Sequence, residues 1–206
     1  MVRQLISHPY TYPIDQRFGP GPYYIEFTLN VNGEKKFFTL ETAPNDLMPH
    51  SVYYFMDMVE RNIWEDTVLM HKHKLNHIVT AALVSPSGEN KRDQAVGELS
   101  FPEYSDEYRH DEYTVGFVGR PGGPEFYFNL EDNSDMHGPG KQSHSTVMND
   151  ADPCFAKVII GKHVLAGLKE ITKGTTEESD LIFTAIEKVQ RISVSQKKLE
   201  SLGLFA

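Results

Sequence analysis

"CFAKVIIGKHVLAGLKEI", residues 154–171, changes its periodicity at one glycine. Up to Ile160 the run is short, apolar and partly β-branched, and a proline and a glycine bound it, which is how a buried strand reads. Beyond Gly161, Val164, Leu165 and Leu168 recur at helical spacing and share one face. A strand that turns directly into a short amphipathic helix is a joint, and the helix has to cover whatever sheet the strand belongs to.

Working outward, "YYIEFTLNV" (23–31) alternates, Asn32-Gly33 follows, and "KKFFTLETA" (35–43) resumes the strand pattern. Asn-Gly between two such runs is a strong short-range signal for a β-hairpin. "PNDLMPHSVYYFMDMVERN" (44–62) reads as a loop and then a helix, with Val52, Phe55, Met56 and Val59 in helical register and Pro49 in its first turn. Strand-like pieces recur at 67–71, 76–84, 113–119, 125–130 and 182–194, separated by the polar loop "SPSGENKRDQ" (85–94) and other turns. Many short strands with two helices predict a mainly β protein, a closed antiparallel barrel of about eight strands capped by two helices. Residues 1–21, ending near a Gly/Pro cluster, read as an N-terminal arm, 22–194 as one domain and 195–206 as a tail.

Composition narrows the function. The 206 residues carry a formal net charge of -9 and are 39% hydrophobic and 24% charged, the make-up of an ordinary globular domain. A nucleic-acid backbone needs clustered Lys and Arg, so no nucleic acid is expected as partner. No apolar run approaches the ~20 residues of a membrane span, and no signal-peptide core is present. These features favour an intracellular protein unless the chain is cut from a longer precursor. The single cysteine, Cys154, excludes an intrachain disulfide, and its strand context reads as a buried small hydrophobe.

Three stretches are candidates for chemistry. "MHKHKLNHIVTAA" (70–82) places His71, His73 and His77 within seven positions. On a strand, residues at i and i+2 share a face, so His71 and His73 are candidate metal ligands, with His77 a third if the strand continues. The spacing is no recognised zinc signature, and a polar strand face or peptide-binding face is the preferred reading; no cofactor is expected. "GRPGGPEFYFNLEDN" (119–133) sends Phe126 and Phe128 to one face and Glu125, Tyr127 and Asn129 to the other, the second being a candidate groove wall. "DMHGPGKQSHS" (135–145) reads as a loop bordering that groove, and the acidic run "FPEYSDEYRHDEY" (101–113) as a solvated loop.

The order of these pieces resembles the cyclophilin family of peptidyl-prolyl isomerases. "MPHSVYYF" stands where that family opens a helix with P-x-T-x-x-N-F, matching at Pro49, Ser51 and Phe55. Trp64 and "VLMHKHKLNHIVTAA" stand where it has an aromatic, F-H-R-V and Q-G-G-D. "VGFVGRPG", "PEFYFNL" and "FAKVIIGKHVLAGL" are similar to its L-S-M-A-N-x-G, S-Q-F-F-I and F-G-K-V-x-x-G-x-x-V-x-x-I segments. The resemblance runs from about residue 22 to 194 and implies a cyclophilin-like barrel.

Carried over by position, the family's catalytic arginine falls on His71 or Lys72. Its glutamine falls near Thr80, its second glutamine on Glu125 and its pocket phenylalanine on Tyr127. Its tryptophan and histidine fall near Val147 and Asp152. Rotating an X-Pro bond crosses a barrier of ~20 kcal/mol, and a lysine or histidine lacks the planar guanidinium fork. The resemblance therefore implies a peptide- or protein-binding or scaffold domain, within a larger assembly or alone, that takes an extended proline-containing peptide with weak or absent turnover. The alternative is an active isomerase using His71 or Lys72.

Overall fold

The computed structural model describes residues 11–72, 77–95, 97, 99–100, 103–120, 122–140, 151–173 and 181–201. Eight strands form in the expected places: β1 (Tyr24–Val31), β2 (Glu34–Thr42), β3 (Thr67–Lys72), β4 (Ile78–Ala82), β5 (Thr114–Phe117), β6 (Phe126–Asn129), β7 (Cys154–Ile160) and β8 (Leu181–Ile192). They close into a barrel in the order β1-β2-β7-β5-β6-β4-β3-β8, every pair antiparallel. Asn32 and Gly33 take positive φ of 53° and 84°, so Val31 pairs with Glu34 across a two-residue hairpin loop.

Alternation fills the barrel with one face of each strand. Phe27 and Phe38 stack at 4.9 Å, Phe128 meets Phe38 edge-on at 5.2 Å, and Trp64 stands over Phe126 at 4.6 Å, all fully buried or nearly so. Five α-helices occur among the described residues. The two longest close the barrel. Helix α2 (Pro49–Glu60) presses Phe55 onto Phe126 and Phe155, and α4 (Lys162–Lys173) buries Val164, Leu165 and Leu168, the stripe the sequence predicts.

The ends of the chain hold more structure than an arm and a tail suggest. Helix α1 (Thr11–Phe18) buries Ile14 and Phe18, and Arg17 pairs with Asp57 of α2 at 2.6 Å. Two apolar residues four apart were enough to seat it. Short helices α3 (Ser134–His137) and α5 (Gln196–Ser201) complete the set. The acidic run also departs from its reading as a solvated loop, since Glu103 and His110 are buried. The Glu103 carboxylate accepts the backbone N–H groups of His50 and Ser51, at 3.2 and 2.8 Å. Helix α2 has no side-chain cap of its own, and a distant carboxylate satisfies its orphan donors.

Candidate functional site

Strand register lays out the outer face of the barrel. Phe183 of β8 pairs with Met70 of β3, Met70 with Thr80 of β4, Thr80 with Tyr127 of β6, Tyr127 with Gly116 of β5, and Gly116 with Cys154 of β7. This row faces outward, because Leu69, Val79, Phe126, Phe128 and Val115 on the alternate positions fill the interior. Thr80 and Tyr127, two candidate groove residues, are therefore direct neighbours. Met70 completes their line on β3.

The other candidates lie elsewhere. His71 belongs to the opposite face, buried beneath α4 with its Nε2 3.2 Å from the Thr184 hydroxyl. Burial drives its pKa down to about 4, slightly offset by the Leu168 backbone. Lys72 ends β3 opposite Leu181 and is described through its backbone alone. His77 stands just before β4 rather than continuing β3, half-buried, and its carbonyl accepts from Leu130 and Asn133. His73 and Val147 lie outside the described residues. Among the described residues, no three His, Cys, Asp or Glu side chains are grouped to hold a metal ion. Glu125, just before β6, pairs with Arg92 at 3.0 Å.

Asp152 does reach Tyr127, and around them gathers a buried polar cluster. The Tyr127 hydroxyl donates to Asp152 Oδ2 at 3.0 Å, His137 Nδ1 donates to the same oxygen at 2.9 Å, and Arg120 Nε donates to Oδ1 at 2.9 Å. Arg120 also donates to the carbonyls of His137 and Gly138. His110 Nε2 donates to the Asp152 carbonyl at 3.1 Å, and its unprotonated Nδ1 lies 3.3 Å from the Tyr127 hydroxyl, whose one proton goes to Asp152. His137 lies 4.7 Å from the Tyr127 ring and 6.1 Å from His77, centre to centre.

Electrostatics follow from burial and from the Asp152 carboxylate. Burial alone would raise Asp152, but the hydrogen bonds from His137 and Arg120 outweigh it and hold the group below its usual range. Burial, with Asp152 beside it, pushes Tyr127 well above the usual phenol value. Burial lowers His110 to about 4, so it is neutral at pH 7. His77 is lowered too, by burial and then by His137. Cys154 is a buried thiol pushed up to about 12 by desolvation, which removes it as a nucleophile.

His110, Arg120 and His137 escaped the sequence reading because their partners lie 15 to 42 residues away along the chain. The surviving signal was the histidine in "DMHGPG" bordering the expected groove.

No protein-family model matches the chain, and no curated protein matches it by sequence. Solved structures do match in shape. A cyclophilin-type peptidyl-prolyl cis-trans isomerase from Cryptosporidium parvum superposes with a TM-score of 0.57 at 14% identity, covering 84% of this chain and 100% of that one. Its structure in the presence of the dipeptide Ala-Pro gives 0.58 at 14%, covering 83% and 99%. The Mimivirus cyclophilin gives 0.58 at 13%, covering 84% and 91%. The chain has a cyclophilin-like fold.

Proposed function

We propose that this cyclophilin-like barrel is a peptide- or protein-binding or scaffold domain in which prolyl isomerisation is weak or absent. The observation that carries the reading is Tyr127, which is 2% exposed and has its hydroxyl tied to Asp152. A side chain so enclosed offers no open pocket for a proline ring. The line through it continues into Thr80 and Met70, which carry no charge to polarise a prolyl carbonyl. The guanidinium beside it, Arg120, is committed to Asp152 and to the two carbonyls of residues 137 and 138. Losing one preorganised donor at a developing charge costs roughly 10²–10³-fold in rate, by analogy with oxyanion sites. An extended proline-containing peptide, alone or within a larger assembly, is the partner class, resting on the fold and on the half-open strip of Met70, Thr80 and exposed Phe183.

A proline-containing tetrapeptide, Ala-Ala-Pro-Phe, separates the outcomes. By NMR we expect shift changes at Met70, Thr80 and Phe183 with no catalysed cis-trans exchange. Catalysed exchange lost in Lys72→Ala or His71→Asn would overturn the proposal in favour of an active isomerase. His71 would first have to leave the barrel interior, where it bonds Thr184. Absence of any shift change would overturn the peptide-binding reading.

A further inference from the structure

The chain has seven methionines, and five of them, Met48, Met56, Met58, Met70 and Met136, lie among the described residues. Met48 precedes α2, Met56 and Met58 lie within it, and all three are wholly buried in the core. The other two reach solvent: Met136, on α3, is 41% exposed, and Met70, on β3, is partly exposed. Met70 stands in the outward row between Phe183 of β8 and Thr80 of β4, its register partners on either side. Phe183 is 53% exposed, the most of any large apolar side chain among the described residues, so the row stays open beside the thioether.

We propose that Met70 is an oxidation site, at which hydrogen peroxide converts the thioether in the middle of the strip to a sulfoxide and switches the strip from apolar to polar. The reaction needs no other group of the protein. A sulfur lone pair attacks one peroxide oxygen, so that an S–O bond forms and the O–O bond breaks. The departing hydroxide takes the proton left on the transferred oxygen and becomes water. The sulfur is oxidised by two electrons and the peroxide is reduced by the same two. What the step requires is access of peroxide to the sulfur, and access separates Met70 from the three core methionines.

Position gives this oxidation a consequence that oxidation of Met136 lacks. Met136 is on α3, off the row of Phe183, Met70 and Thr80. Directly opposed residues of antiparallel strands have Cβ atoms ~5 Å apart, so Met70 and Phe183 present one continuous apolar surface. An unbranched thioether moulds to an apolar partner laid upon it. A sulfoxide puts a strong acceptor in the middle of that surface. In the free protein water solvates the oxygen, and an apolar peptide side chain that displaces the water satisfies nothing. Covering one unpaired acceptor costs roughly tenfold in affinity. The change is reversible, because reductases specific for each sulfoxide epimer restore the thioether. The loss of binding rests on the peptide reading above, while the site of oxidation rests on solvent access alone.

Hydrogen peroxide treatment of the full chain at pH 7, followed by tryptic mapping in a mass spectrometer, reads the site directly. Cleavage after Arg61 and Lys72 isolates Met70 from the other methionines. Met70 should gain one oxygen roughly tenfold or more faster than Met48, Met56 and Met58. In Met136→Leu, which removes the other solvent-facing sulfur among the described residues, oxidation should lower the affinity for Ala-Ala-Pro-Phe about tenfold in an NMR titration. The two epimer-specific reductases together should restore it. Met70→Leu, compared with its own untreated form, should show no effect of peroxide on binding. A Met70 rate no faster than that of the core methionines would overturn the site. Oxidised Met70 with undiminished affinity, or an equal loss in Met70→Leu, would overturn the switch. Should Met136→Leu not fold, the partly oxidised natural chain decides it, by whether the fraction held on immobilised tetrapeptide is depleted of Met70 sulfoxide. No tetrapeptide binding before treatment would overturn the peptide reading and with it the switch, and the oxidation rates would then decide the site.

Discussion

At Gly116 a Cβ would stand 2.8 Å from the Tyr127 hydroxyl oxygen, 2.9 Å from its Cζ and 3.3 Å from the His110 Cε1. The glycine is there because the tyrosine lies across it, and no left-handed backbone is involved. Gly116→Ala should therefore cost roughly 1–3 kcal/mol by overpacking. Thermal unfolding would register a drop of about 2–4 °C per kcal/mol for a chain of this size. If Tm is unchanged, Tyr127 is not held where it is described. The resemblance placed Tyr127, Thr80 and Asp152 in one candidate groove, and of the three strand alternation by itself pointed to Tyr127. Neither had any means of showing that Tyr127 is closed over by the imidazoles of His110, from a loop, and His137, from α3.

The joint between β7 and α4 is the element-scale counterpart. Gly161 has φ of 79°, and a Cβ there would run into the Phe37 carbonyl and stand 2.8 Å from the Phe38 Cα. Both obstacles are backbone of β2, which is itself paired to β7, so neither can give way. Gly161→Ala combines left-handed strain with a clash, and a loss above ~2 kcal/mol is expected, read as a shift in the urea midpoint. A midpoint within experimental error of the unaltered protein would refute this account of the joint. This joint was legible because strand periodicity, a glycine and helical periodicity are local signals. The cap on α2 was not, since Glu103 is 52 residues from the Ser51 amide it accepts.

On the scale of the whole molecule, two buried neutral histidines make the fold sensitive to acid. His71, under α4, and His110, in the outer cluster, each have a folded-state pKa near 4. The unfolded chain binds protons at both sites near the ordinary ~6.5, so stability is present above that value and falls towards pH 4. Each site contributes up to about 1.4 kcal/mol per pH unit across the window. Urea unfolding between pH 7 and pH 4.5 should show this decline. His71→Asn should lessen it by about one proton's share, whereas an equal slope in that variant would place the acid sensitivity elsewhere. What the sequence determined by itself was the barrel: eight strands, the hairpin, the two capping helices and the glycine joint all follow from periodicity and turn chemistry within short windows. The tertiary structure alone decided which groups meet on its outer face. His71 shares a histidine-rich run with His77, yet strand parity turns it inward and a reversal of the chain carries His77 away. His110, Arg120, His137 and Asp152 share no local pattern, yet barrel closure brings them onto one tyrosine. Local propensity fixes where strands begin and end, but contacts between distant loops depend on barrel order and register, which no short window contains.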